Sequence, residues 1–167
     1  MQLENINQKN FSYKEFFFSQ TAIDNNIDNQ AELFKDIQYK ALILNGVHLA
    51  TTLQQIRDVM NANAELKEIV KNDEIIININ SGYRCPELNK LVGSRPTSQH
   101  PKFQAADFRI NGITDLQQLK RIALWLKKQK VPVDQCLVEK TWIHLSVKLN
   151  DNRREFGTFI NNTFTKF

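Results

Sequence analysis

What this 167-residue chain lacks bounds it first. It has only two cysteines, Cys85 and Cys136, far apart in sequence. That excludes a thiolate set able to close a structural zinc site, which normally has four protein ligands. No run of basic residues marks a nucleic-acid footprint: the net charge of +4 comes from 22 basic and 18 acidic residues spread along the chain. No apolar run approaches the roughly 20 residues that span a bilayer, so neither nucleic acid nor membrane is an expected partner. The first seven residues lack the basic head and apolar core of a secretory signal. The expectation is therefore synthesis in a cytoplasm, with both cysteines as free thiols. Glycine is scarce while asparagine, lysine, isoleucine and phenylalanine are abundant, a base-composition bias from which no function is drawn. Internal repeats and low-complexity linkers are also missing. What remains is a chain of ordinary hydrophobic and charged content, long enough to bury a core as one soluble domain over 1–167.

Patterning predicts an α+β fold, helices packed on a small antiparallel sheet. A helical N-terminal segment, about 11–62, precedes a core of about 74–154 and a C-terminal tail. Ser12 and Glu15 have capping-box spacing before Phe16, Phe17 and Phe18, which predicts a short helix. Residues 21–32 read as a polar connection. From about Leu33 to Met60 the pattern is helical, with Leu49, Leu53, Ile56 and Met60 as one stripe and Asn45-Gly46 as an interruption. Residues 74–80 and 105–110 read as strands. Pro86 suits the start of a short helix over 86–92 and Gly93 its stop. A further helix runs from a cap at Thr114 or Asp115 to about Lys130, ended by Pro132. Residues 133–139 and 142–148 form a hairpin.

Two histidines and an aspartate, His100, Asp107 and His144, are placed to hold one zinc ion with an open fourth position, the catalytic arrangement. Strand alternation puts Asp107 on the face opposite Ala106, Phe108 and Ile110, and His144 on the face opposite Ile143, Leu145 and Val147. Each ligand thus sits on a strand whose other face anchors in the core. If Lys140-Thr141 is a two-residue turn, Glu139 opposes Trp142 and Leu137 opposes His144. Glu139 and His144 then become diagonal neighbours on one side. A glutamate there could accept a proton from water that zinc has acidified towards pKa 7. Arg84, beside the end of the first strand, could stabilise an oxyanion, clamp a substrate carboxylate, or pair with Glu87. Tyr83 and Trp142 read as packing aromatics that could also wall a cleft. His48 is assigned no metal role, and Cys136 reads as a small buried hydrophobe.

Ser-Gly-Tyr-Arg, then Ser-x-His with Asp seven residues later in an Ala-Ala-Asp strand, then Asp-Gln-x-x-x-Glu, then Trp-Ile-His-x-Ser together resemble the zinc D-alanyl-D-alanine carboxypeptidase-type peptidases. The small single-domain branch common in bacteriophages fits best, with D,D-dipeptidases and phage endolysins as relatives. The resemblance runs from about Phe11 to Arg154. It implies zinc on His100, Asp107 and His144, Glu139 as catalytic base and Arg84 as an aid to the transition state. Ser98 would support substrate or the ligand loop, and Tyr83 joins it as a substrate-binding candidate. The implied substrate is peptidoglycan stem peptide, cut by a monomer acting on the bacterial wall after holin release or as a virion component. Two rivals accompany this reading: a non-catalytic virion or wall-binding module that keeps the fold and the metal, and a cytoplasmic dipeptidase. Two departures stand out. Phe103 occupies a position where the family usually has glycine, so the residue either takes left-handed geometry at a cost of roughly 1–2 kcal/mol or narrows the cleft. Glu139 lies five residues before His144 rather than three, which leaves Asp134 as the fallback base.

Overall fold

The computed structural model describes residues 2–167. Its first half is helical. Helix α1 (Tyr13–Phe17) starts with the expected reciprocal cap: the Ser12 hydroxyl accepts from the Lys14 amide, and the Glu15 carboxylate accepts from the Ser12 amide at 2.7 Å. The segment expected as a polar connection instead holds two short helices, α2 (Gln20–Asp24) and α3 (Asn29–Lys35), capped by Ser19 and Asp28. Their side-chain caps satisfy the orphan amides that make such short helices viable. Helix α4 (Tyr39–Asn61) runs through Asn45-Gly46 without a break and buries Leu49, Leu53, Ile56 and Met60. Gly46 serves packing here: a Cβ on it would lie 2.7 Å from the ring of Phe103. Helix α5 (Ala64–Val70), which the sequence reading did not place, follows an Asn63 cap.

Strand β1 (Ile77–Ser81) and helix α6 (Pro86–Leu91) lead to β2 (Ala105–Ile110), then helix α7 (Leu116–Lys128), capped by Asp115. The predicted hairpin is β3 (Gln135–Val138) and β4 (Ile143–Ser146), in the expected register: Leu137 opposes His144, and the Glu139 amide donates to the Trp142 carbonyl at 2.9 Å. The expected C-terminal tail is structured. Strands β5 (Glu155–Ile160) and β6 (Thr163–Lys166) form a second hairpin around Asn161-Asn162, both at positive φ, as a tight primed turn requires. Its outer strand completes a six-stranded sheet in the order β1-β2-β4-β3-β5-β6. All neighbours are antiparallel except β3 and β5, which run parallel, so the sheet is mostly rather than wholly antiparallel. One buried apolar cluster extends from Leu3 to Phe156 and joins the helices to one face of the sheet. Cys85 and Cys136 are buried and unpaired, and burial pushes the Cys136 thiol up to about 12. No helix among the described residues is long and apolar enough to cross a membrane.

Candidate metal centre and cleft

Strand β2 shows how the sequence builds its ligand. Ala106, Phe108 and Ile110 are buried and fix the strand in the core. Asp107, between them, points to the other face and directly opposes His144 of β4. The two meet: His144 Nδ1 donates to Asp107 Oδ1 at 2.8 Å. His100 arrives from a single 3-10 turn over His100–Lys102, with its Nε2 3.3 Å from the same oxygen. The three donor atoms lie within 4.8 Å of one another, and among the described residues no other such cluster occurs.

The donor chemistry fits a divalent ion such as zinc. His100 Nδ1 donates to the Gly82 carbonyl at 2.7 Å. A carbonyl only accepts, so the proton sits on Nδ1 and the Nε2 lone pair faces Asp107 and His144, as a metal-binding imidazole requires. Burial lowers the His100 pKa and favours this neutral form. Burial also opposes ionisation of Asp107. The neighbouring histidines, with the hydrogen bond from His144, outweigh it and hold that carboxyl well below the usual carboxylate range. Two imidazoles and a carboxylate brought together in this way match the ligand types of a three-ligand catalytic site.

Gly82 is a supporting residue that the sequence reading treated only as part of a turn. A Cβ there would lie 2.6 Å from the Phe16 carbonyl oxygen. Only glycine lets α1 approach this closely while its own carbonyl orients His100. Arg84 is held by three side chains. Its Nε donates to Ser81 Oγ at 2.8 Å, Nη1 to Ser94 Oγ at 3.1 Å and Nη2 to Asp107 Oδ2 at 2.5 Å. The guanidinium grips the outer oxygen of the Asp107 carboxylate instead of pairing with Glu87, and Arg84 lines the cavity.

Glu139 lies at the end of β3 and lines the same cavity as all three ligands. Burial, with repulsion from Asp107, raises its pKa. Asp134, the fallback, is fully buried and does not line the cavity. It accepts from Gln99 Nε2, the Arg153 amide and the Arg153 guanidinium, and pairs with Lys148 Nζ at 3.0 Å. Every lone pair is committed, so Asp134 is a structural anchor and not a base. Burial penalises its charge, but these partners hold its pKa down at about 2.

Ser98 lines the cavity, and its hydroxyl accepts from the His100 amide at 3.3 Å, which supports the ligand loop. Tyr83 does not reach the cavity. It is buried, with ring centroids 5.7 Å from Phe17 and 5.5 Å from Phe103, so its assignment to substrate binding is corrected to core packing. Trp142 does wall the cleft. Phe103 takes the left-handed conformation at φ 52°, ψ 36°, and its ring is buried among Phe16, Phe17 and Tyr83. It therefore leaves the cleft open. His48 Nε2 pairs with the Lys148 carbonyl, outside the metal cluster.

The cavity is about 960 Å³ and extends beyond the ligands to Phe159 and Phe164 of the C-terminal hairpin. Sequence reasoning missed these residues. Their signal was the alternation around Asn161-Asn162, a hairpin cue.

Comparison with known proteins supplies one finding. The family described as Peptidase M15 matches residues 9–146, most of the chain, including His100, Asp107, His144, Arg84 and Glu139. No curated protein matches the chain.

Proposed function

This chain belongs to the Peptidase M15 family, and from that premise we propose that it is a zinc-dependent peptidase cutting peptidoglycan stem peptides, as a D-Ala-D-Ala carboxypeptidase or an endopeptidase of the endolysin type. The observation that carries the reading is the convergence of His100, Asp107 and His144 within 4.8 Å, with Glu139 on the same cavity. Zinc held by these three would act as a Lewis acid towards the scissile carbonyl and acidify water at neutral pH.

The chain's own groups do the rest. Gly82 fixes the His100 tautomer through its carbonyl. Arg84 holds Asp107 by its outer oxygen, leaving Oδ1 directed at the imidazoles. The Glu139 carboxylate takes a proton from the attacking water and returns it to the leaving amine. Its raised pKa suits both halves of that task, because a base poised nearer the working pH both accepts and releases a proton readily. Ser98 steadies the loop that carries His100. The reading takes residues 1–167 as one domain, supported by the single apolar cluster, working as a monomer on the bacterial wall.

The test is metal analysis of the purified protein followed by incubation with muropeptides. The expectation is one zinc per chain, released peptide products, and loss of about 10²–10⁴ in kcat for Glu139→Gln with zinc content unchanged. Full activity in Glu139→Gln would remove Glu139 as the base. Absence of any product with zinc bound would favour the wall-binding module. That rival drew on Phe103, and the burial of its ring away from the cleft gives it no support.

A further inference from the structure

The C-terminal hairpin lies outside the span matched by the family, yet it shares the catalytic face of the sheet. Register makes this concrete. Asp107 opposes His144, His144 opposes Leu137, and Leu137 opposes Gly157, so one row of side chains crosses β2, β4, β3 and β5 on a single face. Two residues further along, the next row begins at Trp142 and Glu139, which are joined by the amide–carbonyl bond already noted. Continued by the same registers, it reaches Phe159 and then Phe164, a directly opposed pair on β5 and β6. Trp142, Glu139, Phe159 and Phe164 all line the cavity.

The floor between the ligands and this pair is low. Leu137 is buried, and Gly157 has no side chain. The Phe164 ring takes the space that a Gly157 Cβ would need, with Cε2 at 2.5 Å from that position. The ring therefore lies across β5 towards the catalytic strands, although Phe164 is 40% exposed. An aromatic ring covering a bare glycine is a defined position, not a loose surface side chain.

From this arrangement we propose that the C-terminal hairpin is a substrate subsite for an oligopeptide, with Phe159 and Phe164 as the apolar wall that receives chain several residues away from the cleaved bond. The proposal rests on the peptidase reading and deepens it. From β4 to β6 are three strand spacings, about 14 Å, and an extended peptide covers about 3.3 Å per residue. The subsite is thus reached by a substrate of about four residues or more. A cavity of about 960 Å³ stands at the upper end of what a drug-sized ligand fills, which argues against a free dipeptide as the fitted substrate. A wall this far from the chemistry recognises length: it adds binding to long substrates that short ones cannot use.

The experiment uses the zinc-loaded full chain and peptides of two to five residues that share one scissile bond. The expected result is kcat/KM rising with length up to four or five residues. Phe159→Ala and Phe164→Ala should each cut the long-to-short ratio of kcat/KM roughly tenfold, mainly through KM, as truncation of an aromatic anchor does. Phe34→Ala, exposed on α3 and remote from the cavity, is the control and should keep the wild-type ratio. Calorimetric affinities of the same peptides for the Glu139→Gln protein give a reading independent of turnover. Length-dependent affinity that the Phe variants abolish supports the subsite even if no peptide is cleaved, a result that would count against the peptidase reading alone. Cleavage or binding with no length dependence, or a ratio unchanged in both Phe variants, overturns the subsite. So does a peptide-free wall oligosaccharide whose binding depends on the Phe pair while peptide binding does not.

Discussion

Replacing Phe103 by glycine sets two large terms against each other. Glycine would relieve left-handed strain of about 1–2 kcal/mol at this position. The ring, however, is fully buried between Phe16, Phe17, Tyr83 and the notch at Gly46. Removing such a ring costs about 3–5 kcal/mol, and glycine adds about 0.5–1 kcal/mol of backbone entropy. Burial wins, and the net loss is about 3 kcal/mol. In a chain of this length that lowers Tm by about 6–12 °C. Urea unfolding at fixed zinc concentration measures it directly, since unequal metal loading would shift stability by itself. A companion change sharpens the sign. Gly46→Ala gains about 1 kcal/mol of helix propensity, but its Cβ would meet the Phe103 ring at 2.7 Å, and overpacking costs about 1–3 kcal/mol. It should destabilise the parent chain and stabilise the Phe103→Gly chain. If Phe103→Gly proves as stable as the parent, or Gly46→Ala has the same sign in both backgrounds, the paired notch-and-ring reasoning is wrong.

Three further outcomes are expected. Gly82→Ala pushes a Cβ against the Phe16 backbone and displaces the carbonyl that orients His100; zinc affinity, read by competition with a chromophoric chelator, should fall about 10–100-fold. Asp134→Asn removes a carboxylate whose pKa is held down at about 2 against an ordinary 3.8. A depressed carboxyl contributes stability above its unfolded pKa and loses it as pH falls towards its folded pKa. The parent should therefore lose about 1–2 kcal/mol between roughly pH 4 and pH 2, allowing for the half-exposed Arg153, and that part of the acid limb should be missing in the variant's pH-dependent urea midpoints. Zinc at about 100 times its Kd should add about 2.7 kcal/mol of stability, so chelation should lower Tm by about 5–10 °C; an unchanged melting curve would mean that the native state holds no metal.

The strands that carry the metal cluster were legible in the sequence because each has one job per face. In β2, alternation of Ala106, Phe108 and Ile110 with Asp107 fixes both the strand and the direction of its ligand. The β3–β4 register follows from the same logic even though Lys140-Thr141 is poor turn chemistry, because a one-residue slip would expose Ile143 and Leu145. What escaped depends on distant partners. Gly46 reads as a helix break until the ring of Phe103, far along the chain, is brought against it. Arg84 has three polar partners, from β1, the loop after α6 and β2, and no local pattern selects them over Glu87. The C-terminal hairpin is a different case, since Asn161-Asn162 is a local signal that a closer reading of turn chemistry would have caught.

The N-terminal helix belongs to the metal centre as much as to the core. Phe16 touches Gly82 through its backbone and Phe103 through its ring. Gly82 holds one side of His100, and the Phe103 amide donates to the His100 carbonyl at 3.0 Å. The ligand loop is thus clamped from both ends by α1, a helix of only five residues whose stability comes from its cap and from these contacts. Loosening α1 by Ser12→Ala, which removes the cap and costs about 1 kcal/mol, should weaken zinc binding more than an equally destabilising change on α7, remote from the ligands. Equal effects from the two sites would mean that metal affinity follows global stability and that the clamp has no separate role.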